Sequence, residues 1–92
     1  MHSHLAKMLG QCLVESREKK KILQWELAEV MEISAQFLGR IERGEVMIPE
    51  PALVKAISFL KISERKITTI YRAASAKKAS DLFLSSKKRE IS

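Results

Sequence analysis

Residues 24–44 read Gln24-Trp25-Glu26-Leu27-Ala28-Glu29-Val30-Met31-Glu32-Ile33-Ser34-Ala35-Gln36-Phe37-Leu38-Gly39-Arg40-Ile41-Glu42-Arg43-Gly44. Leu27, Ala28 and Met31 form a short apolar stripe at helical spacing, which predicts a helix from about Gln24 to Met31. Glu32 and Ile33 then make a tight turn. Ser34 is a good N-cap for a second helix, from about Ala35 to Arg43, and Gly44 stops it as a C′ residue. Leu38 and Ile41 face inward. Ala35, Gln36, Gly39, Arg40 and Arg43 lie outward, with Gln36 and Arg40 one turn apart on one face.

The flanking sequence predicts more helices on the same logic. Leu5, Met8, Leu9, Cys12 and Leu13 fall on one stripe of a helix from about Ser3, a plausible N-cap, to Lys19. Lys19-Lys20-Lys21 marks its solvated C-terminal end, where positive charge suits the helix dipole. Pro51 fits the first turn of a helix reaching about Leu60, with Leu53, Ile57 and Leu60 as its core face. Ser63-Glu64 opens a fifth helix carrying Ile67, Ile70, Tyr71 and Ala74. Ser80-Asp81 is read as the cap of a last turn or sixth helix holding Leu82, Phe83 and Leu84, with 87–92 frayed. No segment alternates with period two. The expected fold is all-α, with five to six helices: a domain over 1–63 and a C-terminal helical extension with a basic tail over 64–92.

Ninety-two residues make one small domain. A chain this short buries only about two-thirds of its unfolded surface, so self-association would help it. With 46% hydrophobic and 30% charged residues, the composition is that of a globular protein rather than a disordered one. The lone Cys12 cannot pair within the chain, and no signal-peptide core is visible; both fit a cytoplasmic protein. No apolar run approaches the roughly 20 residues of a membrane span. Net charge is +6, and it is placed unevenly. Residues 1–60 hold eight basic and eight acidic residues, while 61–92 hold nine and three. That excess suits either an anionic partner or a solubilising tail.

The outward face of the second helix in the opening stretch carries the chemistry. Gln pairs bidentately with adenine and Arg with guanine, each worth roughly 1–3 kcal/mol of discrimination. Ala35 is placed to touch a thymine methyl. Gly39 has two readings: close approach to a groove floor, or close helix packing. Trp25 has two as well: packing on the first helix or the tail, or an indole N–H near a phosphate. His2 and His4 lack a third ligand, so no metal site is expected. Cys12, on an apolar face, reads as a buried inert thiol. No nucleophile–base pair, phosphate-cradling Gly loop or catalytic carboxylate pair is visible, so neither enzyme activity nor a cofactor is expected.

The pattern Leu9-Gly10, Arg17, Gln24-x-Glu26-Leu27-Ala28, Ile33-Ser34, Phe37-Leu38-x-Arg40-Ile41-Glu42-x-Gly44 and Pro49 resembles the Cro/C1/Xre type of helix-turn-helix over about residues 5–63. These are small prokaryotic and phage transcriptional regulators with a lambda-repressor-like fold. The resemblance implies double-stranded DNA as partner and gives residues roles. Ala35, Gln36 and Arg40 match base-reading positions. Gln24 matches a residue that bonds phosphate and buttresses the recognition helix. Ser34 matches a capping phosphate contact, Phe37 a position that reaches DNA or packs, and Arg43 a backbone contact. Arg17 and Glu42 match a structural ion pair between helices one and three.

The chain departs from the family at three places. Glu32 stands where the family usually has Gly, which predicts an altered turn or a left-handed conformation costing Glu about 1 kcal/mol. Glu45 stands where a basic residue would serve phosphate binding better. Pro49-Glu50-Pro51 tightens entry to helix four. Two DNA-bound copies read half-sites about 34 Å apart, which calls for a dimer. Ile67, Ile70, Tyr71, Ala74, Leu82 and Phe83 are the expected homodimer contacts; the alternative is that this segment folds back on its own core. Lys77, Lys78, Lys87, Lys88 and Arg89 are expected to add phosphate contacts. The leading expectation is a sequence-specific regulator, a repressor binding a palindromic operator as a dimer. The rivals are an antitoxin that represses its own operon beside a toxin partner, and a protein-interaction module that binds no DNA.

Overall fold

A computed structural model describes the backbone of residues 3–91, with side chains for residues 3–77 and Leu82. Five helices follow in order: α1 (His4–Lys19), α2 (Gln24–Met31), α3 (Ala35–Glu42), α4 (Glu50–Leu60) and α5 (Glu64–Ile91). No strand occurs among the described residues. The fold is all-α.

Local hydrogen bonds start each helix where the sequence has a short polar side chain. Ser3 Oγ accepts from the N–H of Ala6 at 2.9 Å, Ser34 Oγ from Phe37 at 3.0 Å, and Ser63 Oγ from Lys66 at 3.1 Å. These bonds satisfy amides that the first helical turn leaves without partners. Leu23 has no such side chain; instead Glu26 Oε1 accepts from the Leu23 N–H at 2.8 Å. Lys20 donates through Nζ to the carbonyl of Leu60 at 2.5 Å, tying the end of α1 to the end of α4.

α1 packs on α3, α4 and α5, and α2 packs on α3 and α4. The core lies between them, around Leu9, Leu13, Leu27, Met31, Leu38, Ile41 and Leu60, each 2% exposed or less. On α1 the buried face is Ala6, Leu9, Gly10, Cys12 and Leu13, so Leu5 and Met8 flank the core rather than fill it. On α4 the buried face is Ala52, Leu53, Ala56 and Leu60. Ile57 is only partly buried; Ala52 and Ala56 take buried positions beside Leu53 and Leu60.

One expectation needs correction, and at the turn after α2 one of two alternatives holds. There is no separate sixth helix: α5 runs unbroken from Glu64 to Ile91, and Ser80-Asp81 lie inside it. From Glu64 onward the chain has neither Gly nor Pro, so nothing interrupts the backbone ladder. The turn after α2 keeps the left-handed geometry although no glycine is present. Glu32 has φ 58° and ψ 41°, and its N–H bonds back to the carbonyls of Ala28 and Glu29. Lys21 and Lys61 take the same conformation, at φ 57° and 56°.

Candidate nucleic-acid interface

α3 has one buried and one open side. Leu38, Gly39 and Ile41 are buried, while Gln36 and Arg40 are exposed. Ala35 and Phe37 are partly buried and pack against the core. Ser34 is exposed, with its hydroxyl engaged at the α3 N-terminus. The open side therefore presents Gln36 and Arg40, one helical turn apart and beside the unpaired amides of the helix start.

The helix is fixed from behind through Glu42. Its carboxylate accepts from Arg17 Nε at 2.8 Å, from a terminal Arg17 nitrogen at 3.2 Å, and from Gln24 Nε2 at 2.8 Å. Arg17 also donates to the carbonyl of Ile22 at 3.0 Å. One carboxylate thus joins α1, the start of α2 and the end of α3. The Glu42 side chain is 4% exposed and that of Arg17 13%. A buried charge with this many partners is satisfied; removing any one leaves the others buried without it.

Two glycines set how closely the elements approach. A Cβ on Gly10 would stand 2.3 Å from the carbonyl oxygen of Ile41 and 3.0 Å from that of Glu42. Helix α1 therefore meets the backbone at the end of α3, and only glycine leaves room. Sequence reasoning quoted Gly10 without giving it a role, although a glycine inside a helix costs about 1 kcal/mol and so signals a reason. Gly39 was placed on the outward face but is buried. A Cβ there would lie 3.2 Å from a terminal Arg43 nitrogen and 3.6 Å from Gln24 Nε2, so it is roofed by those two side chains. Gly44 takes φ +74°, and a Cβ there would meet Lys7.

Beyond Gly44 the chain turns back over α3. The Glu45 N–H bonds to the carbonyl of Arg40 at 2.9 Å. Its carboxylate accepts from Arg43 Nε at 2.5 Å and stands 3.6 Å from Arg40 Nε. The Arg43 hydrogen bond holds the Glu45 carboxyl below the usual carboxylate range, and Arg40 adds to this; Glu45 in turn raises Arg43. Sequence reasoning saw only a missing basic residue at 45.

The remaining candidates are dispersed. Ile70 and Ala74 are 5% and 8% exposed, and Ile67 packs against the core, so these three belong to the chain's own interior. Tyr71 and Leu82 are exposed, at 40% and 63%. Side chains of Lys78, Phe83, Leu84, Lys87, Lys88 and Arg89 lie outside the described residues, as does His2. Trp25 is exposed and shares a shallow depression with Val30 of α2 and Phe59 of α4. Cys12 is buried, which pushes its thiol above the ordinary value while a Ser16 hydrogen bond pulls the other way. Among the described residues no cluster of His, Cys, Asp and Glu could hold a metal ion, and no helix is long and apolar enough to cross a membrane.

The arrangement of α2, the left-handed turn and α3, locked through Glu42, can be compared with known proteins. A profile of the helix-turn-helix family matches residues 13–67. The chain belongs to the Cro/C1-type helix-turn-helix family. Its fold is similar to solved structures of the clp gene regulator ClgR from Corynebacterium glutamicum. One is 23% identical, with a TM-score of 0.65, over 99% of this chain and 94% of that one. A second is 24% identical, with a TM-score of 0.66, over 80% and 95%. A comparison with curated proteins gave no match.

Proposed function

We propose that this helix-turn-helix protein is a sequence-specific DNA-binding transcriptional regulator that works as a dimer on a palindromic operator, most simply as a repressor. The observation that carries the reading is the two-sidedness of α3. Gln36 and Arg40 are exposed together, while Leu38, Ile41 and the Glu42 network hold the back of the helix rigid. A recognition helix needs both: side chains that reach base edges, and a scaffold that keeps them in register.

In this reading α3 enters the major groove. Gln36 pairs with adenine, Arg40 with guanine, and Ala35 offers its methyl to thymine. Ser34 at the start of α3 and Gln24 at the start of α2 meet phosphate, with Gln24 also bracing Glu42. Phe37 packs beneath the contact surface, and Arg43 reaches the backbone. Family membership and the ClgR-like fold support the reading. Among the described side chains of α5, Tyr71 and Leu82 are large, apolar and exposed, and they serve for pairing two copies. Selection of bound sites from random DNA tests the proposal. A symmetric site with half-sites about one helical turn apart is expected; a pool that stays random after selection would overturn the proposal.

A further inference from the structure

The pairing of one carboxylate with two arginines beside the proposed reading face has a consequence for specificity. We infer that Glu45 is a specificity-determining residue: it restrains Arg40 and Arg43 by their Nε edges and withholds their charge from non-cognate phosphate. This rests on the DNA-binding reading and deepens it.

The geometry carries the inference in three steps. First, Glu45 is held in place by its backbone. Gly44 turns the chain at φ +74°, and the Glu45 N–H bonds to the carbonyl of Arg40, so the carboxylate returns over the end of α3. Second, it meets both arginines from the same side: Arg43 Nε at 2.5 Å and Arg40 Nε at 3.6 Å. The terminal nitrogens of Arg40 are left to form the two-pronged contact that guanine accepts. Arg43 is drawn back across Gly39, with a terminal nitrogen 3.2 Å from where a Cβ would stand. Third, the charge at this end of α3 is reduced. Two guanidiniums and one carboxylate leave a single net positive charge, and with Glu45 counted the first 60 residues sum to zero.

Non-specific binding is almost wholly a matter of phosphate charge, whereas discrimination comes from base edges. A carboxylate in this position therefore weakens binding to every sequence. Cognate DNA recovers the loss through an Arg40 fork held in register; other DNA does not. Glu45 thus lowers affinity for non-cognate DNA more than for cognate DNA, and so raises the ratio between the two.

The test is Glu45→Gln, which keeps shape and removes charge. Binding of wild type and variant is measured against a duplex of random sequence and against the duplex that wild type selects from a random pool, each over a series of salt concentrations. For E45Q, affinity for the random duplex rises about fivefold, affinity for the selected duplex rises less, and the ratio falls. The plot of log affinity against log salt steepens by about one per protomer. In the free protein, the Arg43 Nε–H resonance in NMR shifts and exchanges faster with water in E45Q, which checks the restraint without DNA. An unchanged ratio and slope, with wild type selecting a site normally, would overturn the role of Glu45 alone. A wild type that binds neither duplex would overturn the DNA-binding reading and this inference with it.

Discussion

The Glu42 side chain is 4% exposed and accepts hydrogen bonds from Arg17 and Gln24. The physics of such a group is asymmetric. The formed network adds modestly to stability, but breaking it strands a buried guanidinium and an amide. Glu42→Ala is expected to lower stability by about 2–3 kcal/mol in urea denaturation. A loss below about 0.5 kcal/mol, the range of an ordinary surface change, would contradict the bracing role. Gly10 belongs to the same junction. Gly10→Ala puts a methyl against the Ile41 carbonyl, which is backbone and cannot swing aside. A fall in stability of about 2 kcal/mol or more is expected from thermal melting. Gly39→Ala, whose nearest neighbour is the movable end of Arg43, serves as the internal control and should be close to neutral. Arg17 and Glu42 could be paired in the sequence only through family resemblance, since 25 residues separate them. The part of Gly10 was not legible, because its reason is a backbone 31 residues away.

The helix-turn-helix itself depends on one unfavourable turn. Glu32 closes α2 in the left-handed region, where a side chain costs about 1–2 kcal/mol that glycine does not. Its carboxylate pairs with Lys55 on α4, both groups being well exposed, so that contact offsets little of the cost. Glu32→Gly is therefore expected to stabilise the protein by about 0.5–1 kcal/mol, read as a raised melting temperature. A lowered one would show that the Lys55 pair or the stiffer unfolded chain outweighs the backbone strain. At this scale the sequence was most readable. The bounds of α2 and the Ser34 cap follow from signals within three or four residues. α5 was misjudged for the opposite reason. Ser80-Asp81 looks like a cap, but a cap matters only where a helix starts, and nothing upstream had ended one. On α4, Ala52 and Ala56 are buried and Ile57 only partly so, because a stripe read from large side chains does not register alanine.

The whole molecule joins a compact bundle to a long helix. α5 begins by packing on α1, with Ile70 and Ala74 buried, and the longest dimension reaches 52 Å against 27 Å and 21 Å for the others. An apolar stripe shows in a sequence but does not announce its partner, so Ile70 and Ala74 read equally well as an interface or as core. A chain cut at Lys61 would lose core as well as any interface. The cleaner probe is Tyr71→Glu with Leu82→Glu, on exposed positions. Sedimentation is expected to show a monomer that remains helical and binds a palindromic site more weakly than wild type does. A dimer that persists would place the interface elsewhere. The central claim concerns the outward face of α3. Its most direct test is the variant Gln36→Ala with Arg40→Ala, measured on the selected duplex and on a random one. The account predicts an unchanged melting temperature and a loss of about 100-fold or more in discrimination between the two duplexes. A folded variant that still tells the selected duplex from the random one as well as wild type does would contradict it.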